Sequence, residues 1–307
     1  MISTKQHILN TLAYFDVFHY PLRQAEILTF LGTAATADVV SVALEELCED
    51  GYIFRIEDFY LLHNDPLLVI RRKKGNDKAA QQMKVAENAA RILSRFPYVR
   101  GLAISGSLSK NFCTDKSDID FFIITSANRL WIARTLMHLY KKITFLTGRQ
   151  KWFCMNYYID EACPEIAEKN IFTAIEIGTL VHMQGKTALQ DFRKANAWVR
   201  NYFPLLYQAD KPVAEIRKGR FSRFLEWFFN AAWGNWLEKK LMHITEKRWA
   251  KKQERHQKNE HGFVMSMLVN AHYSKPNPVF FQYKVLEMYK TKLESLPSLE
   301  KHTAKAV

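Results

Sequence analysis

The chain has 307 residues, 48% hydrophobic and 24% charged, the balance of a globular protein with two or three domains. With 11 Gly, 9 Pro and no fixed-period repeat, collagen-like, coiled-coil and wholly disordered classes are excluded; so is a membrane span, since the uncharged Trp227–Leu237 run falls short of roughly 20 apolar residues. A net charge of +13 tilts the expected partners towards polyanions: nucleotides, nucleic acid or anionic lipid head groups.

The first residues run straight into an amphipathic segment containing Asp16, which predicts no secretory leader. Ile8, Leu9, Leu12 and Phe15 recur at helical spacing, and a short second helix over Gln24 to Leu31 stops at Gly32. Thr36 or Asp38 caps a third helix with the stripe Val39, Val42, Ala43, Leu47, ended by Gly51. Tyr52 to Ile56 and Phe59 to Leu62 then read as two strands around Glu57-Asp58. This order resembles a winged-helix module over residues 1–63. The third helix would be its groove-reading element, yet it carries Asp38, Glu45, Glu46, Glu49 and Asp50 and no Lys or Arg. Phosphates repel such a surface, so a packing or protein-contact module is the expectation.

Arg71-Arg72-Lys73-Lys74-Gly75 reads as a solvated linker into a helix through Met83, Ala86, Ala90 and Leu93. Apolar strands follow at Val99–Ser105 and Phe121–Thr125, then a helix over Leu130–Tyr140 and a strand over Lys151–Ile159. Helical patterning resumes at Glu165, passes Ile171, Ile175 and Leu180, and dominates the remainder. The four cysteines, Cys48, Cys113, Cys154 and Cys163, lack CxxC spacing, so reduced thiols in the cytoplasm are expected.

The chemistry concentrates in Ile104-Ser105-Gly106-Ser107-Leu108-Ser109-Lys110 and Ser117-Asp118-Ile119-Asp120-Phe121. Strand alternation points Asp118 and Asp120 to one side and Ile119 and Phe121 to the other. Two converging carboxylates repel unless a cation lies between them, and oxygen donors suit Mg²⁺. Gly106 lets backbone N–H groups approach a phosphate, and the Ser107 hydroxyl donates to an oxygen of the same group.

An apolar strand, Gly-Ser, a twelve-residue step from Gly106 to Asp118 and then Ser-Asp-x-Asp resemble the nucleotidyltransferase superfamily that includes DNA polymerase beta. The resemblance covers roughly residues 85–160. It implies an α+β core with a mixed sheet and Mg²⁺-dependent transfer of a nucleoside monophosphate from an NTP to an acceptor: a small molecule, a protein or RNA. Asp118 and Asp120 would hold the metal, and Gly106 and Ser107 the β- and γ-phosphates. Lys110 either contacts phosphate or is an exposed loop lysine. A second metal or a carboxylate would activate the acceptor hydroxyl. The family places a third carboxylate on a later strand. Here that position is Asn156, which ligates through its carbonyl oxygen but accepts no proton. Asp160, at the strand end, and Glu176, on the next helix, are the stand-ins.

In the C-terminal third, Phe221, Phe224, Leu225, Phe228, Ala232 and Trp236 form a stripe widened by Trp227, Trp233, Leu237 and Leu241, expected to pack on the sheet. Between Lys211 and Lys258 there are 13 Lys or Arg against 5 Asp or Glu. Solvated helix faces, nucleic acid binding or an anionic membrane all fit that composition, and solvated faces are the expectation. His243, His256, His261 and His272 lack ligand spacing, Lys275-Pro276-Asn277-Pro278 reads as a turn, and Glu294 to Val307 as a fraying end. The resulting expectation is a module over 1–63, a nucleotidyltransferase domain over 64–190 and a helical domain over 191–307. Its alternative is a catalytically weakened relative that senses nucleotides or binds nucleic acid as a regulator.

Overall fold

The computed structural model describes residues 2–148, 150–206, 213–255, 265–278 and 281–297. Helix α1 (Thr4–Asp16) starts where the Ser3 side chain accepts from the Gln6 N–H, and it buries the expected Ile8, Leu9, Leu12 and Phe15. Strand β1 (Leu22–Arg23), α2 (Gln24–Thr29) and α3 (Ala37–Glu49) follow, with Thr36 capping α3. The buried face of α3 is Val40, Ala43, Leu44 and Leu47, one step round from the expected stripe. Leu44 completes the i, i+3, i+4, i+7 set, and Val39 and Val42 are left exposed. Strands β2 (Phe54–Ile56) and β3 (Phe59–Leu61) join β1 in an antiparallel sheet ordered β1-β3-β2.

The basic stretch expected as a linker lies inside one 28-residue helix, α4 (Pro66–Leu93). Asp65 caps it and Pro66 fits its first turn. Arg72 is 2% exposed. Its guanidinium meets Glu26 at 2.7 Å, donates to the Pro21 carbonyl at 3.0 Å and stacks 3.7 Å from the Tyr20 ring. A charge read from sequence as solvated is instead the rivet between the N-terminal helices and α4.

The main sheet takes β4 (Val99–Ser105), β5 (Asp120–Thr125), β6 (Cys154–Asp160), β7 (Val181–Gln184), β8 (Met265–Val269) and β9 (Tyr273–Pro278), ordered β7-β4-β5-β6-β9-β8. Among the described strands only β5 and β6 run parallel, so their connection must cross over, and α6 (Leu130–Thr144) does so. A four-residue helix, α5 (Gly106–Ser109), follows β4. Leu102, Ile104, Phe121, Ile123 and Met155 pack beneath α4 and α6. On the other side Ala103, Phe122, Ile124 and Ile159 meet α7 (Ile171–Gly178) and α8 (Lys186–Ala195). That second core is continuous with Ile8, Leu9, Leu44 and Leu47, so the N-terminal helices share one hydrophobic interior with the sheet.

Three expectations are corrected. The strand expected from Lys151 starts at Cys154, after a 3₁₀ turn over Gln150–Trp152. The helix expected from Glu165 begins at Ile171, where Asn170 caps it, and after Gly178 the chain turns into the unforeseen edge strand β7. The C-terminal region is not wholly helical: α9 (Arg220–Phe229) and α10 (Ala232–Glu254) precede β8 and β9, and the expected Lys275–Pro278 turn is part of β9. His256, His261 and residues 298–307 lie outside the described residues. Finally α11 (Phe281–Ser295) returns to α1, with Tyr289 edge-on to Tyr14 and Lys292 bonded to Asp16.

The aromatic stripe expected as core is also corrected. Phe221, Phe224, Trp227, Phe228, Trp233 and Trp236 are exposed, whereas Leu237 and Leu241 do pack against α6. Among the described residues no helix is long and apolar enough to cross a membrane.

Candidate active site

The end of β4 and the start of β5 are antiparallel neighbours, with Ser105 opposite Asp120. The chain leaves β4 through Gly106 at φ +67°, a left-handed conformation that only glycine adopts cheaply. A side chain there would also collide: a Cβ on Gly106 would sit 2.5 Å from Asp120 Oδ2. Glycine is therefore required twice, by its dihedral angle and by the carboxylate lying against it.

The other oxygen, Asp120 Oδ1, accepts from Asn156 Nδ2 at 2.5 Å. Strand β6 delivers Asn156 through an irregularity: Phe121 pairs with Met155 but Phe122 pairs with Tyr157, leaving Asn156 as an extra residue. A bulge of this kind re-aims side chains. It breaks the alternation that would have set Asp160 on the face of Asn156. Asp160 is fully buried elsewhere, accepting from the Asn128 and Ala162 N–H groups at 2.8 and 3.1 Å and meeting His272 Nδ1 at 3.0 Å. It is a structural carboxylate, not a stand-in.

Glu176, on α7, does reach the site. With Ser105, Gly106, Asp120, Asn156, Phe172 and Lys275 it lines a cavity of about 270 Å³. A second cavity of about 340 Å³ shares Gly106, Phe172, Glu176 and Phe281 with the first. Ser107 and Lys110 line this second space, with Tyr14, Phe18 and Tyr20 of the N-terminal region and Arg71 of α4. Lys110 is not an exposed loop lysine: its Nζ lies 2.7 Å from Glu176 and 3.3 Å from the Gly106 carbonyl oxygen. Its own carbonyl accepts from the Tyr20 hydroxyl, which ties the Gly-Ser loop to the N-terminal helices.

Asp118 stands half-buried just ahead of β5 and is not among the residues lining either cavity. Ile119 is buried in the same core as Phe121. Burial raises the Asp120 carboxyl to about 7, and the negative charges of Asp118 and Glu176 push the same way against the Cys154 thiol and Lys141. The half-buried Cys154 thiol, facing Asp120, is pushed up to about 12 by desolvation and is no nucleophile.

Among the described residues no cluster of three or more His, Cys, Asp or Glu gathers in ligand range. The carboxylates of Asp118 and Asp120 repel each other. They are oxygen donors whose mutual repulsion a cation relieves, and Mg²⁺ usually takes one or two protein carboxylates together with waters and phosphate oxygens.

Gly106 and Asp120 were legible as neighbours from motif spacing, and Asn156 and Lys110 as candidates through the family resemblance. Phe172, Phe281, Lys275, Tyr20 and Arg71 were not, because they come from separate elements and no local pattern announces a shared cavity. The chain matches no family model, no curated protein and no solved structure.

Proposed function

We propose that this protein is a Mg²⁺-dependent nucleotidyltransferase of the polymerase-beta-like kind, with a winged-helix-like N-terminal module. The observation that carries the reading is the contact between Gly106 and the Asp120 carboxylate at the mouth of a cavity. A glycine bend beside a carboxylate of raised pKa suits a triphosphate with its cation. The mixed sheet, with a helix crossing between its two parallel strands, agrees with that fold. All four cysteines are free thiols, as a cytoplasmic protein would have them.

In this reading Gly106 and Ser107 receive the β- and γ-phosphates, and Asp118 and Asp120 are the metal ligands. A bound Mg²⁺ would neutralise charge developing on the α-phosphate. The acceptor hydroxyl attacks the α-phosphorus, the bond to the β-phosphate oxygen breaks, and pyrophosphate leaves. Asn156 holds Asp120 in place and takes no proton. Glu176, lining the same cavity, is the carboxylate available to accept the hydroxyl proton once Lys110 turns from it to phosphate.

A second reading has its own support. Asn156 stands where a third carboxylate is expected, and Glu176 is held by Lys110, which favours a weakened relative that binds nucleotide as a regulator. Incubation with each labelled NTP, Mg²⁺ and a cell extract separates the two. Label on one species supports transfer and identifies the acceptor; Mg²⁺-dependent NTP binding without transfer supports the sensor. Absence of NTP binding by calorimetry refutes both.

A further inference from the structure

We infer that the exposed face of α9 and α10 docks on the surface of an anionic phospholipid bilayer. The inference is independent of the reading of the cavity, and it begins with an inversion. A helix on a globular protein ordinarily turns its apolar side inward and its charges outward. On α9 Phe221, Phe224, Trp227 and Phe228 are 74%, 55%, 72% and 46% exposed, and on α10 Trp233 and Trp236 are 39% and 59% exposed.

The inward side carries Phe229, Leu237 and Leu241 together with two carboxylates. From Arg220 to Thr245 the only acidic residues are Glu226 and Glu238. Glu226 grips Arg100 through both guanidinium nitrogens at 2.9 Å and accepts from the Tyr98 N–H at 2.7 Å. Glu238, 7% exposed, accepts from the Trp131 and Ile132 N–H groups at the start of α6, at 2.6 and 2.9 Å. Both negative charges are thus withdrawn from the outer face and spent on seating the helices. Over Arg220 to Thr245 the charges left outside are cationic and stand beside the exposed rings; the next carboxylate, the exposed Glu246, follows further along α10.

The rings are contiguous. Phe224 lies 6.0 Å from Trp227 and 6.3 Å from Phe228, and Phe228 lies 4.7 Å from Trp233. Single exposed apolar side chains need no explanation, but a joined patch marks an interaction surface. Arg220, Arg223, Lys239 and Lys240 are exposed beside it, and Lys240 Nζ sits 4.4 Å over the Trp236 ring. Trp and Phe on one side of a helix with Lys and Arg flanking them suit the head-group region, where rings enter the acyl boundary and cations meet lipid phosphates.

A nucleic acid strand is the weaker fit. Strand binders use a groove with free ring faces. Here Phe228 and Trp233 pack edge-on at 66°, and these rings line neither cavity described above.

The test is co-sedimentation of the full chain with phosphatidylcholine vesicles, with and without phosphatidylglycerol, at low and high salt. The expected result is pelleting with the anionic vesicles alone, weakened by salt, with a blue shift of tryptophan emission. Trp227→Ser combined with Phe228→Ser abolishes pelleting. Arg220→Gln combined with Arg223→Gln weakens it roughly 20- to 30-fold, since each charge near an anionic surface is worth about a factor of five. Circular dichroism checks that both variants remain folded. No pelleting with anionic vesicles overturns the inference, as does pelleting that the aromatic variant retains. A dimer dissolved by the aromatic variant, or an RNA oligomer bound in place of vesicles, overturns it in favour of that other occupant.

Discussion

The cavity beside Gly106 and the outer face of α9 and α10 break the same rule in opposite directions. In the cavity a carboxylate is partly buried in a largely apolar pocket; on the helices apolar rings stand in water while carboxylates point inward. Neither arrangement is what an isolated chain would choose for stability. An enclosed anion with a raised pKa is relieved by a cation, and a joined exposed aromatic patch is relieved by a partner that removes it from water. The two regions teach that departures from ordinary burial, more than any residue type, mark where a molecule awaits something else.

The comparison breaks first at Asp120. Asp118→Asn with Asp120→Asn should abolish Mg²⁺-dependent NTP binding seen by calorimetry. Asp120→Asn alone should nevertheless make the free protein more stable at neutral pH and above. The folded carboxyl ionises near 7 instead of 3.8, so stability is fully present below 3.8 and is lost as pH rises towards and through 7. Thermal melting of the variant and the parent should therefore coincide in acid, separate as pH rises from 3.8 to about 7, and keep a constant gap above that. A gap that closes at high pH would refute the burial argument. The same sign governs the ligand: Mg²⁺ binding should strengthen as pH rises through 7, with proton release seen as a buffer-dependent heat.

The aromatic face breaks next, from its inner side. Glu226→Ala removes the acceptor for Arg100 and the Tyr98 N–H, and it should cost about 1–3 kcal/mol in chemical denaturation. The smallest effect belongs to the outer side. Trp227→Ser should change stability by no more than about 0.5 kcal/mol, because its ring is 72% exposed. A large loss there would mean that the ring packs against the body after all.

Much of the architecture was legible in local patterning. The stripe of α1, the Thr36 cap and the two strands flanking the Gly-Ser turn follow from spacing and from side chains that bond their own backbone. Asp120 beside Gly106 was legible because antiparallel pairing of two consecutive strands sets the end of the first against the start of the second. Arg72 was misread because a buried guanidinium and a solvated one look alike until Glu26 and Tyr20 arrive from elsewhere. The α9 face was misread because periodicity shows that a helix has two sides without saying which one turns inward.

The order of the residues by itself determined α1, α3 and the two strands around the Gly-Ser bend, because those depend on neighbours a few positions apart, and the pairing of the two strands then sets Gly106 beside Asp120. The folded arrangement decided that Asn156 would reach Asp120 through a bulge, that Glu176 would pair with Lys110 across the cavity, and that six aromatic rings would face water. Each of those outcomes is a competition between distant groups for one place, and only a complete set of contacts settles it.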